Sequence, residues 1–243
     1  MNRLFLIFAF ALFSIASADE LRPLWDIPLN EGDLQKLCNN GTMSEARPVA
    51  RRTDKLAWRE GRLSGKALYF DNDLNGKKPV TALEIPGENS YDFTKPFSIM
   101  CWLKIDAKAS TNSQYTFLGN VQSDYGPGFR LNYGWGTIRV HFGDGTSKNA
   151  DSIAVSATRV RFKRGVWQHV AFTYDGKLGR IFLNGVPVAE KNIASYPTKP
   201  VLRPFCIGTY NSYAYAFPGA ISDIKLYDRA LSPVEMLKLV KEL

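Results

Sequence analysis

Trp167-Gln168-His169-Val170-Ala171-Phe172-Thr173-Tyr174-Asp175-Gly176, followed by Arg180-Ile181-Phe182-Leu183-Asn184-Gly185-Val186-Pro187-Val188-Ala189, reads as alternating strands joined by tight turns. In the first strand Val170, Phe172 and Tyr174 fall on one face, with His169, Ala171 and Thr173 on the other. In the second, Ile181 and Leu183 share a face while Arg180, Phe182 and Asn184 point away. A period of two bounded by Asp-Gly and Asn-Gly predicts antiparallel hairpins.

Working outward, the same pattern recurs at even spacing. Strands are expected over residues 67–70, 82–85, 97–105, 115–121, 129–133, 138–142 and 155–162, then 167–174, 180–183, 187–191, 205–208 and 220–227. Gly, Asn and Asp punctuate them, which predicts an all-β, two-sheet antiparallel sandwich. One short C-terminal helix is expected, because Ser232-Pro233-Val234-Glu235 offers an N-cap, a first-turn proline and a capping-box glutamate. Met236, Leu237, Leu239 and Val240 then supply its apolar stripe.

The N-terminus reads differently. Residues 1–18 look like a cleaved signal peptide: Arg3 is the positive start, Leu4 to Phe13 is apolar, and Ala16-Ser17-Ala18 is a small-residue cleavage site. The apolar run is short of the roughly 20 residues a membrane span needs, so a soluble, exported chain is expected. Residues 19–59 should form an N-terminal edge strand and loop segment of the same domain. There Pro28 confines the strand at Trp25 to Leu29 to an edge, and residues 39–55 read as loop. Asn40-Gly41-Thr42 is a glycosylation acceptor pattern. Residues 60–243 carry the sandwich itself.

Removing Arg3 takes the 31 basic residues to 30 against 23 acidic ones, leaving about +7. That balance favours anionic partners, acidic glycans among them. No helix-turn-helix, zinc or RNA-binding motif accompanies it, so specific nucleic-acid recognition is not indicated. Cys38, Cys101 and Cys206 permit at most one internal disulfide, with three pairings open. Cys101 alternates with Ile99, Leu103 and Ile105, which predicts a small buried core residue.

Several segments, in order, resemble the laminin-G-like members of the concanavalin A-like jelly rolls. Gly65-Lys66-Ala67-Leu68-Tyr69-Phe70-Asp71 is similar to the family's early strand, with Asn72 where glycine is usual. Phe97-Ser98-Ile99-Met100-Cys101-Trp102-Leu103-Lys104 is similar to the strand with a Phe-Thr-x-x-x-Trp-x-Lys pattern, and Phe217 to Ser232 to the closing strand. The opening hairpin belongs to the same set. The resemblance implies a two-sheet jelly roll used for binding. It also implies a structural calcium, for which Asp71, Asp73 and Asp223 are the candidate ligands. The competing reading makes Asp71 and Asp73 turn formers.

Glycan binding calls for exposed rings beside polar groups. Tyr133-Gly134-Trp135-Gly136 puts Trp135 at a hairpin tip, and Arg130, Asn132, Arg139 and His141 alternate onto one outward face. Tyr210 and Tyr213 lie in a second aromatic loop. The competing reading folds Trp135 back over the sheet and uses the tyrosines as plugs. Arg159, Arg161 and Lys163 alternate with Val160 and Phe162 as a basic stripe, read either as a charged binding strip or as a solvated face. Trp102 and Trp167 are read as packing anchors.

Catalysis finds little support. No Glu-x-Asp-x-x-Glu strand is present, Gln168-His169 lacks the Gln-x-His spacing of related lyases, and His141 and His169 are the only histidines. The expectation is therefore an exported, non-catalytic module for carbohydrate or an extracellular glycoconjugate, possible calcium included. The alternatives are a structural or adhesive protein-binding domain and, behind it, a glycan-cleaving enzyme.

Overall fold

Asp175 and Gly176 make the expected turn: Asp175 Oδ1 accepts the amides of Lys177 at 2.9 Å and Leu178 at 2.7 Å. Asn184 and Gly185 turn the chain again, with φ of 50° and 80°. Positive φ at both central residues matches the twist of the flanking strands. The computed structural model describes residues 21–51, 53–75, 80–121, 127–143, 153–158, 160–194, 200–210 and 215–242. The expected leader over residues 1–18, together with Arg159 and Tyr213, lies outside them.

In chain order the strands are β1 (Trp25–Ile27), β2 (Val49–Ala50), β3 (Leu56–Glu60), β4 (Lys66–Asp71) and β5 (Leu83–Ile85). Next come β6 (Phe97–Ile105), β7 (Gln114–Gly119), β8 (Gly128–Gly134), β9 (Thr137–Gly143) and β10 (Ile153–Ser156). They end with β11 (Gln168–Tyr174), β12 (Leu178–Leu183), β13 (Val186–Asn192), β14 (Phe205–Ile207) and β15 (Pro218–Tyr227), before helix α1 (Pro233–Glu242).

These form two antiparallel sheets. The eight-stranded sheet runs β13-β12-β11-β6-β15-β4-β3, with β1 also paired to β15, and the seven-stranded sheet runs β10-β9-β8-β7-β14-β5-β2. The molecule is an all-β jelly-roll sandwich with one short helix. Between the layers Phe97 and Phe172 of one sheet meet Phe129 of the other, with ring centroids 5.3 and 5.9 Å from it. Inward side chains are those that counting every second residue selects, Val170, Phe172 and Ile181 among them.

Three boundaries differ from expectation. Residues 39–55 are not all loop, since β2 pairs with β5. β3 was not foreseen; it pairs with β4 at the margin of the larger sheet. The strand expected over residues 155–162 stops at Ser156, and Phe162 instead reaches the core from an irregular segment whose amide bonds Gly136 O. The basic stripe is therefore not a strand face.

Outside the sandwich, α1 covers part of the larger sheet's outer face. Met236 and Leu231 bury Met100, Ala171, Phe182 and Tyr227 there. All three thiols are unbridged, with Cys101 and Cys206 buried and Cys38 half-buried.

Candidate functional site

The outer face of the seven-stranded sheet gathers the polar residues that alternation selects. Glu84, Cys206, Gly119, Arg130 and His141 are register partners from β5 to β9, so they form one row across the sheet. Thr116, Asn132, Arg139 and Ser156 form the next row. Gly119 leaves the middle of the first row without a side chain, and a Cβ there would stand 2.8 Å from the Phe129 carbonyl oxygen.

Tyr133, expected on this face, is on the other one. It sits one position out of phase with Arg130 and Asn132, stacks on Tyr115 at 5.7 Å and is part of the core. Parity decides the matter, because a strand cannot send adjacent residues to the same side.

The face is far from bare. Arg130 is only 1% exposed and Tyr210 only 5%. The Arg130 guanidinium lies 5.1 Å from the Tyr210 ring and 5.4 Å from the Tyr215 ring, and those two rings stack at 5.6 Å. Arg130 Nη2 is 3.2 Å from His141 Nδ1. An arginine can only donate, so this contact makes Nδ1 the acceptor and puts the ring proton on Nε2. Burial holds the His141 pKa well below its usual value, helped by the charges of Arg130 and Arg139. Asn132 Oδ1 and Thr116 Oγ1 are buried with no hydrogen-bond partner among the described residues.

At the rim the groups become accessible. Trp135 and Gly136 form the β8–β9 turn with φ of 49° and 84°, and Trp135 is 48% exposed. The Arg139 guanidinium covers one side of its indole at 4.5 Å, and Arg161 Nη1 donates to the Trp135 carbonyl at 3.3 Å. The accessible part of the face is therefore its rim, where the Trp135 ring and the partly exposed Arg139 stand at the edge of the covered polar row. Glu84 is the one carboxylate on the described strands of this face, and Arg51 Nε engages it at 2.6 Å. Acid–base cleavage of a glycosidic bond needs two flanking carboxylates, and Glu84 has no second beside it on the described strands of this face.

The residues expected to hold calcium are not brought together. Asp71 ends β4 opposite Pro218, with Arg59 Nη2 3.9 Å away. Asp73 Oδ1 accepts the Asn75 amide at 2.8 Å, as a turn former does. Asp223 lies five residues beyond Pro218 along β15, roughly 16 Å at strand rise. It occupies the bulge where β15 changes partner from β4 to β1, with φ of 53° and its amide on Pro28 O. No cluster of three metal-binding side chains occurs among the described residues.

Sequence reasoning missed Glu84 and Thr116, and read Tyr215 only as part of the aromatic loop from Tyr210 to Phe217. Alternation was the available signal for Glu84, which stands between the inward Leu83 and Ile85. Nothing local announced that Tyr215 would lie over Arg130.

A concanavalin A-like fold with a polar, cation-rich sheet face defines a class, the lectin-like jelly rolls. The laminin-G family model described as the concanavalin A-like lectin/glucanases superfamily matches residues 76–236, about two thirds of the chain. The chain belongs to that family. Among curated proteins none matches it.

Solved structures repeat the fold. The botulinum neurotoxin serotype D binding domain superposes with a TM-score of 0.64 at 14% identity, covering 91% of this chain and 51% of that one. The same toxin's ligand binding domain in complex with N-acetylneuraminic acid gives 0.63 at 14%, with 91% and 51% covered. The binding domain of Paraclostridial Mosquitocidal Protein 1 gives 0.63 at 14%, with 91% and 52% covered. The likeness is one of fold, and the chain spans about half the length of each of these structures.

Proposed function

We propose that the chain is an exported, non-catalytic module that binds carbohydrate or an extracellular glycoconjugate. The observation that carries this reading is the half-exposed Trp135 indole at the rim of a strip holding Arg130, Asn132, Arg139 and His141. An exposed ring stacks on a sugar face, and adjacent guanidinium and amide donors take hydroxyl or carboxylate oxygens. A structure of the same fold holding N-acetylneuraminic acid, an acidic sugar, supports it. Export rests on Arg3, the apolar run to Phe13 and Ala16-Ser17-Ala18. No helix among the described residues is long and apolar enough to cross a membrane.

The test is a glycan array followed by titration of the best binder. Trp135→Ala and Arg139→Gln should each weaken binding about tenfold, the worth of one stacked ring or charge-assisted contact. Their melting midpoints should match the parent, since both side chains are at the rim. Binding unchanged in both variants would remove the site from this face.

A further inference from the structure

The larger sheet has an outer face of its own, and α1 leaves part of it open. On that part a cavity of about 500 Å³ opens beside β3, β4, β6 and β15. Ala220 and Gly165 line it, together with Ala107 in the turn after β6, and the space exists because none of them fills it. Its volume is in the range that takes a small ligand.

Charge is arranged around this hollow unevenly. Arg59, Lys104 and Lys108 line it, against Asp106 and Glu60. Asp106 is already committed: Oδ2 accepts the Tyr69 hydroxyl at 2.5 Å and Oδ1 accepts the Lys108 amide at 2.8 Å. Those bonds fix the Tyr69 ring, and the Arg59 guanidinium lies flat against it with its carbon 3.4 Å from the ring centroid. The planar fork is thereby held in place, paired with Asp71 at 3.9 Å and close enough to Asp106 for its charge to help hold that carboxyl below its usual pKa. Lys104 and Lys108 are exposed, and the Lys108 charge also acts on the Asp106 carboxylate. A preorganised guanidinium beside two ammonium groups suits a planar or tetrahedral oxyanion. Trp167 packs against Tyr69 and Ala220 at the margin, which adds an apolar ring surface.

We propose that this cavity is a second binding site, for an acidic sugar whose sulfate or carboxylate group sits among Arg59, Lys104 and Lys108. It lies on the opposite sheet from the Trp135 strip and does not depend on that strip binding anything. The experiment titrates the full chain with a sulfated, a uronic-acid and a neutral tetrasaccharide, read by calorimetry at low and physiological salt. The first two arms tell a sulfate from a carboxylate ligand.

A Lys104→Ser/Lys108→Ser double variant should bind the acidic sugar about tenfold more weakly, with a shallower dependence on salt. Ala107→Phe, an exposed turn position, should block the hollow and give a similar loss. Melting curves of each variant verify folding. Acidic-sugar binding that survives both variants would overturn the proposal, as would equal affinity for the neutral sugar or no binding of either acidic one. Binding abolished by Trp135→Ala but untouched by the lysine and Ala107 variants would place the only site on the other sheet.

Discussion

His169 shows how one side chain sets a property of the whole protein. It is fully buried on β11, edge-on to Trp102 with centroids 5.4 Å apart, while Arg62 lies 4.1 Å over the same indole. Neither ring nitrogen has a hydrogen-bond partner among the described residues. Burial, and secondly the charge of Arg62, holds its pKa down at about 3. The folded protein thus keeps the imidazole neutral where the unfolded chain would protonate it, near pH 6.5. Stability is whole above that pH and falls as acid takes the solution from about 6.5 towards 3, by about 1.4 kcal/mol per pH unit for each such proton. His141 adds in the same direction. His169→Phe should therefore flatten the acid limb of stability against pH by about one proton, measured by urea unfolding between pH 7 and 4.5. An unchanged slope would place the proton uptake elsewhere. Alternation told which way His169, Arg130, Asn132 and His141 point; it could not tell that they are covered. The covering groups are Arg62, Tyr210 and Tyr215, far away in sequence, and only the folded chain brings them near. Asn72, noted as a departure from glycine, is explained in the same way. Its amide bonds Thr81 O and Phe217 O at 3.0 Å, tying three segments together.

At the scale of elements, what was legible is what a few consecutive letters encode. The α1 capping box forms in both directions: the Glu235 amide bonds Ser232 Oγ at 3.3 Å and the Ser232 amide bonds Glu235 Oε2 at 2.8 Å. Arg229 holds the same carboxylate from the side, and its hydrogen bonds are the main reason the Glu235 pKa falls to about 2. Ser232→Ala should cost about 1 kcal/mol by denaturant unfolding and speed amide exchange in α1 first. Global loss with no local change in α1 would contradict that. Where letters misled, another partner was deciding. Leu56-Ala57-Trp58-Arg59-Glu60 does not alternate cleanly, and β3 forms because β4 offers it a ladder. Val160 and Phe162 alternate well, yet Val160 closes a turn onto Ala157 O and never joins the sheet.

For the molecule as a whole, the sandwich came through almost intact from sequence because two-layer packing needs only the parity of each strand. Whether Asp71, Asp73 and Asp223 converge is not a matter of parity, because it depends on where β15 bulges. With Asp71 and Asp223 apart, exhaustive chelation should leave the melting midpoint unchanged, followed by circular dichroism. A drop restored by added calcium would reveal ligands beyond those three aspartates. The bulge matters in one more way. β15 pairs with β6 along one side and with β4 and then β1 along the other, so among the described strands it alone joins the two halves of its sheet. Lys225 Nζ reaches Asp26 Oδ1 at 2.6 Å across 199 positions of chain. A nascent polypeptide must therefore release some 199 residues beyond Asp26 before β1 can dock, and such distant closures make folding slow.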